Sequence, residues 1–159
     1  MEKVKDLPVT SPLTLYAKAR RYRPEPFFLI NDLLLTYLSL KSSGSEGNNK
    51  RDYKKLLTEE LGVEEETAEK FEALVSGRLT KTSDSGIFVV LYILLSSIIK
   101  RNSENPYGVI LAVDNCQNID SQSLDFFRFY LKSSETRPFF LFSGRDEKSS
   151  VFEIFKDLT

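Results

Sequence analysis

Apolar and polar positions change period several times along the chain, and each change marks an element. Residues 1–12 hold Pro8, Pro12 and few apolar side chains, the composition of an irregular lead-in. Between Leu13 and Ala19 the apolar residues alternate (Leu13, Leu15, Ala17, Ala19), which is the period of a half-buried strand. Leu13, Tyr16 and Ala17 would also suit a helical turn, but the alternation favours the strand. Pro24 and Pro26 then interrupt the chain. Pro26 suits the first position of a helix, where its missing N–H costs nothing, so a helix is predicted from Phe27 to about Leu40. That helix is apolar on most faces and should be buried.

Lys41 to Asp52 (KSSGSEGNNKRD) is polar and rich in Gly, Ser and Asn, as in a loop tolerant of insertion. Two short amphipathic helices follow. Tyr53, Leu56, Leu57 and Leu61 share one face, and Gly62 stands where a left-handed residue would end the helix. Ala68, Phe71, Leu74 and Val75 form the face of the second, with Glu66 and Lys70 as an i,i+4 pair and Gly77 after its end. Residues 41–86 therefore read as a polar loop and helical insertion, with Thr80 to Gly86 as a further loop. Ile87 to Lys100 is β-branched enough to imitate a strand, but its length favours a buried helix. Asn102 to Tyr107 reads as a turn.

The second half is the most legible. Gly108 to Val113 is an uninterrupted apolar run, as expected of a strand covered on both faces. Ser121 to Lys132 carries Leu124, Phe127 and Leu131 on one stripe, with Asp120 or Ser121 available as N-cap. Pro138 to Ser143 reads as a second buried strand. Ser150 and Glu153 make an S-x-x-E capping box opening a last helix, with Val151, Ile154, Phe155 and Leu158 inward. Strand, helix and strand in this order form a βαβ unit with parallel strands and a right-handed crossover. The chain is predicted to be a single α/β domain spanning 1–159.

Composition narrows the chemistry. Among 159 residues there is no histidine, which excludes Ser-His-Asp and Cys-His nucleophile systems and His metal ligands. The single cysteine, Cys116, rules out an internal disulfide and a Cys-based zinc site, and reads as a small packing residue. Charge nearly balances, with 22 Lys and Arg against 23 acids, so no global field recruits nucleic acid or an anionic membrane. The local exception is Lys18, Arg20, Arg21 and Arg23, a solvated edge before it is a phosphate or nucleic-acid contact. The longest apolar stretch, Ile87 to Ile99, falls short of the ~20 residues of a membrane span. The N-terminus carries charge without an apolar segment behind it, so no secretory signal is expected and the cytoplasm is the default compartment.

Parallel strands bring their C-terminal ends to one sheet edge, where open α/β sheets bind ligands. Here that edge gathers Asp114, Asn115 and Gln117 after one strand and Ser143, Gly144, Arg145 and Asp146 after the other. An acid leaving an apolar strand is a natural partner for a hard cation, which takes one or two carboxylates plus phosphate oxygens. A guanidinium offers phosphate a forked donor set. Polar strand ends are also what any parallel sheet has, so the pattern alone leaves a purely structural role open.

The segment Val109-Ile-Leu-Ala-Val-Asp114-Asn115-Cys116-Gln117-Asn118-Ile119-Asp120 resembles the extended Walker B segment of AAA/STAND-type P-loop NTPases. These include the ATPase modules attached to adenylyl cyclases and to LuxR/MalT-type regulators. Their pattern is four apolar residues, two acids and a further Asp five positions on. Ser121 to Phe127 resembles the following helix, Pro138 to Glu147 the sensor-1-type strand with its Arg-Asp turn, and Pro26-Phe27-Phe28 the start of a Leu-rich helix. The likeness covers residues 13–40 and 87–159. It implies an incomplete three-layer P-loop NTPase-like core with parallel strands plus a helical insertion. It further implies ATP and Mg²⁺ as cofactors, Asp114 and Asp120 toward the metal, and Ser143 and Arg145 toward the nucleotide. Asn115 stands at the catalytic position of the second acid, where an amide cannot take a proton from water but can still position one.

The sequence departs from that pattern in having no G-x-x-x-x-G-K-[ST]; Gly44 and Gly47 lie in a polar loop without the following Lys-Ser/Thr. The resemblance therefore implies either a core that starts after the phosphate loop or a divergent one that lost it. Two functions follow as expectations. One is a regulatory, signal-transducing ATP/Mg²⁺ module with weak or no hydrolysis, passing occupancy to other domains of a larger chain or to protein partners. The other is a nucleotide-free interaction module that keeps a degenerate NTPase core and uses residues 53–75 or 18–23. Neither expects a membrane or nucleic acid as partner.

Overall fold

Leu13–Lys18 forms strand β1, and Val109–Asp114 and Phe139–Phe142 form β2 and β3. The helices are α1 (Phe28–Ser42), α2 (Tyr53–Leu61), α3 (Glu65–Val75), α4 (Asp84–Arg101) and α5 (Ser121–Ser133), with a 3₁₀ turn at Cys116–Asn118. These assignments come from a computed structural model that describes residues 11–21, 25–42, 52–78 and 84–145. Residues 1–10 of the expected 1–12 lead-in, Arg23, Pro24, most of the 41–52 loop, Asp146, Glu147 and the helix opened by Ser150 and Glu153 lie outside the described residues.

The sheet is parallel in the order β1-β2-β3, so the chain is α/β as expected. Leu15 pairs with Leu111, Lys18 with Asp114 and Val113 with Phe142. Strand alternation then sorts the sheet into two rows. Leu15, Ala17, Val109, Leu111 and Val113 are buried in one core cluster with Leu33 and Tyr37 of α1, Leu94 of α4 and Phe126 of α5. Leu57 of α2 and Phe71 of α3 join the same cluster, so the insertion helices are part of the core. Aromatic rings knit the helices together: Phe88 meets Phe27, Phe126 and Phe129, and Phe127 meets Phe140 edge to face at 5.5 Å.

The other row departs from expectation. Tyr16, Phe139 and Leu141 are exposed, at 52%, 67% and 62%, and Thr14 and Lys18 are exposed beside them. Among the described residues the sheet is thus covered on one face, giving two layers where three were expected, and β3 is a half-open edge strand. An apolar run fixes that a segment is a strand, but says nothing of how many layers cover it.

Helix boundaries differ in two places. The helix predicted from Ile87 begins at Asp84, so Asp84, Ser85 and Gly86 of the expected Thr80–Gly86 loop are helical, and residues 80–83 lie outside the described residues. The helix predicted from Phe27, with Pro26 at its first position, begins at Phe28, because Phe27 adopts a left-handed φ of 61°. Gly62 does end α2 in the left-handed region, its N–H donating to Leu57 O, and Glu66 pairs with Lys70 at 2.6 Å. No helix among the described residues is long and apolar enough to cross a membrane.

Candidate functional site at the C-terminal edge of the sheet

β2 ends on Asp114, and the chain must turn at once to reach α5. Asn115 makes the turn with φ of 56°, a left-handed conformation that Asn tolerates better than most side chains. Its N–H donates to its neighbour's carboxylate, Asp114 Oδ1, at 2.8 Å. β3 then ends against the same turn: Ser143 N–H donates to Val113 O, and Cys116 N–H to Ser143 O, each at 2.9 Å. That closure needs Gly144, since a Cβ there would lie 2.6 Å from Cys116 Sγ and 2.8 Å from Gln117 Oε1. Cys116 itself is buried, as a packing residue should be.

This closure delivers the Ser143 hydroxyl to Asp114 Oδ1 at 2.6 Å. The second oxygen, Oδ2, faces β1, where the Tyr16 hydroxyl donates at 3.4 Å and Lys18 Nζ sits at 3.8 Å. The Ser143 hydroxyl first, then the Asn115 N–H, hold the Asp114 carboxyl below its ordinary range, with Lys18 and Tyr16 adding to the effect against partial desolvation. An acid whose native pKa is lowered contributes stability above its unfolded value near ~4, lost as pH falls through the native value. Asp114→Asn is therefore expected to lose stability relative to wild type at neutral pH, with the gap closing below about pH 4. Urea midpoints across that range check this, and a gap independent of pH would refute it.

Asp120 has a different environment. Oδ1 accepts from Ser123 N–H at 2.8 Å, capping α5, and from Phe27 N–H at 3.1 Å; Oδ2 accepts from Leu29 N–H at 3.1 Å. The structure thus describes a helix cap that serves two helices, and the Asp120 carboxylate is committed to backbone donors. Arg145 is exposed just beyond β3, with no ion pair to Asp114 among the described residues. Sequence reasoning missed Lys18 and Tyr16 as partners of Asp114. Alternation along β1 puts both on one face, but only the register with β2 brings that face to Asp114.

Could this group hold Mg²⁺? Asp114 is ionised and Ser143 adds a hydroxyl, a donor pair that suits a hard cation completed by phosphate and water oxygens. Among the described residues no cluster of three acidic or cysteine side chains would form a protein-only cage. On the same edge, Arg20, Arg21, Gln117, Asn118, Ser121 and Gln122 border a shallow cleft of about 470 Å³. A larger cleft of about 640 Å³, bordered by Ser96, Lys100, Ser134, Arg137 and Phe139, lies where β2 and β3 begin and holds none of these groups.

No family model, curated protein or solved structure matches the chain.

Proposed function

We propose that the C-terminal sheet edge binds ATP with Mg²⁺ in a regulatory module whose own hydrolysis is weak or absent. The observation that carries this reading is the Asp114–Ser143 contact across two adjacent parallel strands, on an edge flanked by Lys18, Arg20, Arg21 and Arg145. The carboxylate and hydroxyl would hold the cation, which when bound offsets phosphate charge, while the surrounding cations meet the remaining phosphate oxygens. Asn115 lacks a proton-accepting oxygen of sufficient basicity, so it orients water at most. Within the 159 residues no glycine-rich phosphate loop adds backbone N–H donors, which keeps affinity low.

Asp114→Ala is expected to abolish Mg²⁺-dependent ATP binding while leaving the fold intact. With free ligand at ten times Kd, wild type should gain about 1.4 kcal/mol, read as a rise in melting temperature of roughly 3–6 °C. No rise with MgATP, or the same rise in Asp114→Ala, would overturn the reading.

A nucleotide-free interaction module is favoured by a separate observation, the apolar side chains of Tyr16, Phe139 and Leu141 on the open sheet face. Exposed apolar patches on globular domains mark contact surfaces. Under this reading other domains of a larger chain or protein partners meet the module, and Asp114→Ala leaves their binding unchanged.

A further inference from the structure

The four groups around Asp114 divide between its two oxygens, and the division is unequal in mobility. Oδ1 is held by Asn115 N–H, fixed in the backbone, and by Ser143, whose hydroxyl rides on the end of β3. Oδ2 meets two long side chains from β1, Tyr16 and Lys18. The Lys18 side chain is 55% exposed, so its ammonium is free to swing on a four-carbon stem into solvent. A divalent cation approaching Oδ2 must compete with that ammonium, 3.8 Å away, whereas Oδ1 already accepts two short hydrogen bonds, from Asn115 N–H at 2.8 Å and the Ser143 hydroxyl at 2.6 Å.

Resting on the nucleotide reading above, we propose that Lys18 is a built-in competitor for the cation at Asp114. Its ammonium occupies Oδ2 in the absence of metal, and moves to phosphate oxygens when metal and nucleotide arrive together. Cation alone then binds weakly, because it must share a carboxylate with a neighbouring positive charge. Cation with nucleotide binds cooperatively, because the triphosphate gives the displaced ammonium a partner. The coupling is reciprocal, as linkage requires: nucleotide strengthens metal binding by the factor by which metal strengthens nucleotide binding. Lys18 is here a positioning residue that acts through Asp114.

The test measures Mn²⁺ binding to the full chain, by electron paramagnetic resonance of free Mn²⁺, with and without ATP, in wild type, Lys18→Met, Lys18→Arg and Asp114→Asn. Competition in free Mn²⁺ by ATP itself is measured without protein and subtracted. Removing one solvent-screened positive charge is expected to tighten Mn²⁺ binding about three- to tenfold in Lys18→Met. The same variant is expected to lose most of the strengthening that ATP confers, and Lys18→Arg to keep it. Far-UV circular dichroism checks folding, which an exposed residue of this kind should not disturb. Mn²⁺ affinity in Lys18→Met that equals or falls below wild type, with binding still dependent on Asp114, overturns the role of Lys18 alone. Mn²⁺ binding unaffected by Asp114→Asn, or absent from every variant with and without ATP, overturns the nucleotide reading and this inference with it.

Discussion

Asp120→Ala is expected to lower the unfolding free energy by about 2–4 kcal/mol, without any loss of ligand chemistry at Asp114. Helix α1 begins at Phe28, directly after the left-handed Phe27, and the first N–H groups of a helix have no partners within it. Here the partners come from more than ninety residues away. Asp120 accepts from Phe27 and Leu29 N–H, and the buried Ser123 hydroxyl accepts from Ile30 N–H at 3.2 Å. Asp120 also caps its own helix through Ser123 N–H. Losing a cap costs about 1 kcal/mol, and each backbone donor stranded away from water costs about 1–3 kcal/mol, less where water can reach it. The left-handed Phe27, whose ring packs edge to face on Phe88 at 5.8 Å, depends on the same carboxylate. Asp120→Asn retains one acceptor oxygen and should lose about half as much. Guanidinium denaturation of both variants checks this; a cost below about 0.5 kcal/mol for alanine would mean the α1 donors find water instead.

The same residue shows how far the sequence could be read. Asp120 before an apolar stripe is legible as a cap, because capping is local and the spacing to Ser123 is in the chain. Its grip on α1 is not legible, because it depends on where two helix starts meet in space. β1, β2 and β3 were recognisable from alternation or from apolar runs, and parallel pairing followed from the helix between the last two. The candidate site was half legible on the same grounds. Asp114 and Ser143 leave strands that a βαβ unit makes parallel, so their meeting at one edge follows from topology. Lys18 belongs to a strand nearly a hundred residues earlier, and its pairing with Asp114 is a matter of register alone. Register in a sheet is set by which face is buried, and Leu15 opposite Leu111 fixes it here. In the sequence the run from Lys18 to Arg23 showed only as a basic edge. The interhelical contacts of Lys54 with Glu65 and Glu69 were hidden for a similar reason: they join α2 to α3 across a turn, whereas Glu66–Lys70 lies on one helix at a visible spacing.

Leu111→Ala is expected to cost about 3–4 kcal/mol, and Leu141→Ala less than about 0.5 kcal/mol, although both leucines sit in apolar strands of one sheet. Leu111 is in the central strand, fully buried under the helices, so deleting its side chain leaves a cavity that packed neighbours cannot fill. Leu141 pairs with Ala112 on the opposite row and is 62% exposed, so truncation removes little buried surface. The sequence gives no reason to separate the two: each is flanked by apolar residues on both sides, and a run of that kind predicts burial on both faces. Only the one-sided layering of helices distinguishes them. Chemical denaturation of the two variants under identical conditions therefore measures the architecture itself. Equal losses at both positions would require a second layer over Tyr16, Phe139 and Leu141, whereas a large loss at Leu111 with none at Leu141 leaves that face as open as the structure describes it.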